Sequence, residues 1–157
     1  MVTTTTAARA ASTFPVRSFS GAGVLQVAWG KYALAANPTA ADITQMCRLP
    51  SGSTPLFGYI GTDDIDTGTE ALDIDVGIAA NGVDSADPDF FSNGGIYTGD
   101  NAITDLPFTN ASNVRFFTGP FPVLTLGAET IVQVVYNAPA NAGGTGTVFV
   151  VVCYSID

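Results

Sequence analysis

The sequence contains no histidine, only five basic residues and only two cysteines in 157 positions, and each shortage closes off chemistry. Without an imidazole there is no Ser-His-Asp or Cys-His nucleophile system and no histidine-held deaminase zinc. The commonest general base and the commonest transition-metal ligand are both missing. Charged residues make up 12% of the chain, against roughly 25% in an ordinary soluble domain. A surface this poor in charge implies that neighbours cover part of it. The five bases face 14 acids, a net charge of −9, so nucleic acid and anionic membrane surfaces repel the body of the chain.

Long apolar runs are missing too. No segment approaches the roughly 18 consecutive apolar residues of a membrane-spanning helix. Residues 1–22 hold no apolar stretch between a basic start and a small-residue cleavage site, so they do not read as a secretory signal. The expectation is a chain made and folded in a cytoplasm, with no membrane and no nucleic acid as partner. Cys47 and Cys153 each lie inside an apolar strand-like run; two thiols are too few for a disulfide scaffold and read as small buried hydrophobes.

What the sequence does have is a hydrophobic share of 46% and a wealth of turn residues, with 17 glycines and 9 prolines. A body of this length buries roughly two-thirds of its unfolded surface, enough for one core without disulfide or metal. Residues 1–22 (MVTTTTAARAASTFPVRSFSGA) show no sustained period and carry Arg9 and Arg17 without an acid. They read as an extended N-terminal arm, either a tether that orders on meeting a partner or an ordinary frayed terminus. Residues 23–157 read as one folded domain.

Within that domain the text is strands and turns. Residues 24–34, 43–49 and 56–60 are β-rich and bounded by Asn-Pro and Pro-Ser-Gly turn signals. Leu72-Asp73-Ile74-Asp75-Val76-Gly77-Ile78 alternates apolar and polar residues, which predicts a strand with a wet face carrying Asp73 and Asp75. Residues 81–106 read as surface loops with one helical turn near Asp89-Phe90-Phe91. Strand character returns at residues 114–118 and 123–125. Residues 130–136 and 147–156 are the strongest strands and read as a long antiparallel hairpin. About eight strands with no alternating helices predict an all-β antiparallel sandwich of the jelly-roll type.

Phe149-Val150-Val151-Val152-Cys153-Tyr154 is apolar on both faces, so neither side expects water. Burial under loops and a subunit interface both satisfy it. Phe108, Phe116, Phe117 and Phe121, in the stretch LPFTNASNVRFFTGPFP, join Phe149 and Val151 as candidates for the interface. Between Arg48 and Arg115 there is no base but there are 11 acids. Asp64-x-Asp66-x-Gly68 has some of the oxygen ligands a calcium loop uses, but it lacks EF-hand spacing and reads equally as a solvated acidic turn. Asp73 with Asp75, or Asp63 with Glu70, are the carboxylate pairs a glycosidase would need, and nothing in the sequence places either pair in a cleft. No metal, cofactor or catalytic residue is expected.

The runs Lys31-Tyr32-Ala33-Leu34-Ala35-Ala36-Asn37-Pro38-Thr39-Ala40-Ala41-Asp42, Arg48-Leu49-Pro50-Ser51-Gly52, Gly61-Thr62-Asp63-Asp64-Ile65-Asp66-Thr67-Gly68 and Asp73-Ile74-Asp75-Val76-Gly77 resemble small virion structural proteins of tailed bacteriophages. So does Asn137-Ala138-Pro139-Ala140-Asn141-Ala142-Gly143-Gly144-Thr145-Gly146-Thr147 ahead of its valine-rich strand. The resemblance implies a capsid decoration, or cement, protein: a jelly-roll-like domain, often a homotrimer. Such a protein binds the major capsid protein on the outside of an icosahedral shell. On that reading the arm, with Thr3, Arg9 and Arg17, contacts the shell, while the phenylalanines and Val151 join subunits. Another virion part, a head fibre or tail component, fits the same pattern. A carbohydrate-binding sandwich would use Trp29, Tyr59 and Tyr97, although Trp29 sits in an apolar strand and reads as core.

Overall fold

The computed structural model describes residues 2–15, 24–63, 65–67, 69, 71–92, 113–118 and 124–156. Those residues form the strands β1 (Thr4–Thr6), β2 (Gln26–Leu34), β3 (Ile43–Leu49), β4 (Ser53–Thr62), β5 (Asp73–Ile78), β6 (Asp87–Ser92), β7 (Asn113–Thr118), β8 (Thr130–Ala138) and β9 (Gly146–Ile156). A 3-10 turn at Ala8–Ala10 is the one helical element among them.

Two sheets result, with strand orders β1-β3-β8-β5-β6 and β2-β9-β4-β7. Every pairing is antiparallel except that of β1 with β3. The chain changes sheet at each connection apart from β5 to β6. Setting β1 aside, this is the eight-strand, two-sheet weave of a jelly roll, as the strand count and turn spacing led us to expect.

The core lies between β8 and β9. Val132, Val134 and Tyr136 point inward from one sheet, and Val148, Val150, Val152 and Tyr154 from the other, all at most 4% exposed. Alternation along each strand puts every second residue there. Burial of each such side chain contributes about 1.5–3 kcal/mol. The Tyr136 hydroxyl is paired with Thr44 Oγ1 at 3.3 Å, which satisfies the polar end of the largest core residue.

Several expectations are corrected. Residues 130–156 do not form a hairpin: β8 pairs with β3 and β5, β9 with β2 and β4, and the connection crosses from one sheet to the other. Gly143 and Gly144, at φ +88° and +81°, turn the chain there. Crossing lets the two most apolar strands face each other through the core instead of lying side by side. Phe90 and Phe91 belong to strand β6 rather than a helical turn, because Phe91 packs inward against Phe117 at 5.1 Å. Leu124 and Thr125 lie outside any strand. The wet face expected of β5 is only partly wet: Asp75 is 6% exposed and accepts a 2.7 Å hydrogen bond from Asn137 Nδ2.

The first residues also belong to the body. Thr4–Thr6 add a parallel strand beside β3, and the Ala7 N–H donates to the Gln45 carbonyl at 2.7 Å. Threonines favour the extended strand. Ala7 and Ala10 are small enough to be buried against it, at 2% and 3% exposed. Met1 and residues 16–22 of the expected arm, including Arg17, fall outside the described residues.

Candidate interaction surface

The sheet β2-β9-β4-β7 holds no aspartate or glutamate in any strand, in a chain with 14 acids. Its outer face is apolar. Registers align Val27 with Cys153 and Phe57 in one row, and Trp29 with Val151 and Tyr59 in the next. A third row runs from Lys31 through Phe149 to Gly61. Phe149 lies over Gly61, in the space a side chain there would need, and meets Tyr59 edge-on with ring centroids 5.9 Å apart. Val27, Trp29 and Phe57 are 55%, 44% and 46% exposed. A contiguous apolar face of this kind, free of charge of one sign, is the kind of surface at which proteins or ligands dock.

One edge of this face carries positive charge. Arg9, at the 3-10 turn, lays its guanidinium over the Trp29 ring, 3.7 Å from the centroid, with the Phe14 ring at 4.9 Å. The turn is held there by its packing on β2 and β3. Between them opens a groove of about 540 Å³, whose wall includes Arg9, Phe14, Trp29, Arg48 and Tyr154. Arg48 pairs with Glu129 through one terminal nitrogen, while its Nε is buried without a hydrogen-bond partner among the described residues. Cys47 forms another part of the wall. Burial pushes its thiol up to about 12, against a small opposing pull from Arg9, so it is an inert thiol rather than a nucleophile.

The carboxylates of the acidic stretch do structural work. Asp66 is 2% exposed and accepts four backbone N–H bonds, from Ala71 and Leu72 on one oxygen and from Asn141 and Ala142 on the other. Burial alone would raise its pKa, but the four donors outweigh that and hold it below the usual carboxylate range. Those bonds occupy the oxygens a cation would need, and the described residues contain no cluster suited to a metal. Asp64, Gly68 and Glu70 lie outside the described residues. Asp42 accepts the backbone N–H of Thr39 at 2.7 Å and that of Thr3 at 2.6 Å, and these donors lower its pKa.

The residues singled out from sequence are therefore distributed as follows. Phe149 and Val151 lie on the outer apolar face, half-buried. Phe117 is in the core at 5% exposed, packed on Phe91. Phe116 stands opposite Tyr59 in the register of β4 and β7. Phe108, Phe121, Arg17 and Tyr97 fall outside the described residues. Thr3 is exposed and tied to Asp42, and Arg9 reaches the edge of the apolar face.

Sequence reasoning missed Val27, Phe57 and Arg48, and put Trp29 in the core. A signal was available in Val27-Ala28-Trp29-Gly30-Lys31. Lys31 must reach water, so Trp29 and Val27, two and four residues before it, share its outward face.

No protein family model and no curated protein matches the chain. Solved structures do share its fold. A chain in the capsid of Ralstonia phage GP4 superposes with a TM-score of 0.75 over 98% of both chains at 21% identity. One in the capsid asymmetric unit of cyanophage Pam1 gives 0.65 over 96% of both at 25% identity. One in the acidic stable capsid of Helicobacter pylori bacteriophage KHP30 gives 0.52 at 16% identity, covering 85% of this chain and 89% of that one.

Proposed function

We propose that this chain is a structural protein of a phage virion that decorates the outside of an icosahedral shell and stabilises it. The observation that carries the reading is end-to-end correspondence with a capsid chain, 98% of each being covered. The whole chain, not an embedded piece of it, has a counterpart in such an assembly. The acid-free apolar face supplies what an assembled subunit needs, a surface that is not meant to remain wet.

Charge argues for the outside. Packed DNA fills a shell's interior, and a body of net charge −9 gains nothing from facing it. On this reading the outer face around Phe149, Val151 and Phe57 joins copies into a homo-oligomer, in the simplest case a trimer. The N-terminal segment with Thr3, Arg9 and Arg17 reaches acidic groups of the major capsid protein. Several weak contacts from one oligomer multiply through effective concentration. By binding only the assembled shell, the protein shifts the equilibrium toward that state.

A carbohydrate-binding platform is the alternative with some support, since Trp29 and Tyr59 share a face. It is disfavoured because the Arg9 guanidinium occupies a face of the Trp29 ring on which a sugar would stack.

Quantitative mass spectrometry of purified particles tests the proposal. A copy number comparable to that of the major shell protein is expected. A number lower by an order of magnitude moves the chain to a fibre or tail, and absence from particles overturns the virion reading.

A further inference from the structure

We propose that the groove beside β2 is a receptor for an extended peptide segment carrying a carboxylate next to an apolar side chain. Its source would be the shell protein, an assignment that rests on the virion reading above. Four observations converge. Two of the chain's five bases, Arg9 and Arg48, line this groove and no acid does among the described residues; Arg48 is paired with Glu129, which leaves Arg9 as the groove's unpaired cation among them. In a chain of net charge −9 that is a local reversal of sign.

The Arg9 guanidinium is held by ring stacking, at 3.7 Å from Trp29 and 4.9 Å from Phe14. Cation–π attraction does not use up the N–H donors along the guanidinium's edge as hydrogen bonds would. That edge is the fork which matches a carboxylate in two parallel bonds. Arg9 has no carboxylate partner among the described residues. A guanidinium already fixed in orientation loses less freedom on binding than one on a free stem.

The Arg48 Nε in the groove wall is buried without a hydrogen-bond partner among the described residues. A buried donor left unpaired costs about 1–3 kcal/mol, which an incoming oxygen recovers only where the wall shifts to expose it. Finally, Val27 and Trp29 give the groove an apolar side, and β2 is an edge strand, paired among the described residues only with β9 and flanked by the 3-10 turn and β3. An edge of that kind accepts the main chain of an added strand. A nucleic acid would bring a run of phosphates against the acidic body. A segment with a single carboxylate avoids that cost.

Trp29 is the only tryptophan, so the chain's tryptophan emission reports on the groove and the apolar row it borders. Titration of the full chain with acetyl-Leu-Glu-Val-amide should change that emission saturably, with half-saturation at or below the millimolar range. The Leu-Gln-Val counterpart and a thymidine octanucleotide should act at least about tenfold more weakly. Arg9→Gln should weaken the response to the glutamate peptide by about the same factor, and Arg9→Lys, which keeps the charge but not the fork, should fall between.

Equal responses to the glutamine peptide or the oligonucleotide would overturn the proposal. So would an unchanged response in Arg9→Gln, or silence up to about 10 mM peptide. An emission change that follows protein concentration and an increase in mass would assign the groove to a second copy, and would overturn it too. Circular dichroism of both variants checks that they fold. Absence of the chain from particles would remove the shell protein as source while leaving the titration intact. A failed titration would leave the copy number untouched.

Discussion

Gly30 of β2 and Met46 of β3 bring the two sheets into backbone contact, so close that a side chain at position 30 would overlap the Met46 carbonyl. The contact closes the sandwich at the edge where Arg9 stacks on Trp29. The obstacle is main chain and cannot rotate away, so Gly30→Ala must part the sheets. A loss of about 2–4 kcal/mol is expected, read from denaturant unfolding. A loss under about 0.5 kcal/mol would mean that the edge yields freely.

That contact also illustrates what the sequence could and could not tell. Strand existence was legible, because alternation and turn residues are local: β2, β3, β5, β7, β8 and β9 all fall where periodicity puts them. Partnership between strands was not. The loop between β8 and β9 has the look of a hairpin turn, and only the need to cover two apolar faces sends the strands to different sheets. Asp75 looked wet because alternation cannot foresee Asn137 reaching across from the end of β8. Arg9 and Arg17 stood out by charge, but the stacking of Arg9 on Trp29 joins residues 20 apart in sequence, which no local pattern encodes.

Acid should weaken the fold through Asp66 and Asp42. Both carboxyls have lowered pKa values in the folded state, Asp66 because four backbone donors outweigh the opposing effect of burial, Asp42 because of the Thr39 and Thr3 N–H groups. A depressed folded pKa contributes stability that is present above the unfolded value of about 3.9 and is lost as pH falls through the folded one. Thermal midpoints should therefore be flat near neutrality and drop below about pH 4. Asp66→Asn, which turns donors toward donors, should cost about 2–4 kcal/mol at pH 7 and flatten the acid limb. An unaltered acid limb in this variant would remove Asp66 as its cause.

Asp42 should govern the docking of the first strand. It receives the Thr3 N–H at 2.6 Å, beside the Ile43 N–H bond to the Thr3 carbonyl at 2.8 Å. Asp42→Ala should cost only about 1 kcal/mol globally, since β1 touches one edge of one sheet. Its local signature should be larger. Amide hydrogen exchange at Ala7, which bonds Gln45, should accelerate while exchange in β8 and β9 stays constant. Uniform acceleration across both regions would show that β1 opens only with the whole fold.

The outer apolar face should decide whether the chain is alone in solution. Val27 and Phe57 flank Cys153 in one cross-strand row and are about half exposed in a single copy, so a charge at either site need not disturb the core. If the face joins copies, each substitution places a carboxylate in a desolvated contact opposite its own symmetry mate or an apolar neighbour. Val27→Asp and Phe57→Asp should then raise the dissociation constant by about two orders of magnitude, seen by sedimentation velocity as conversion to single chains with an unchanged circular dichroism spectrum. The Asp63→Asn control removes a charge from an exposed side chain that bonds the Thr147 N–H away from the row, and should leave the assembly intact. Variants that sediment like the parent would remove this face from the contact between copies. The apolar rows would then be left for the shell, where the same substitutions should release the protein from particles.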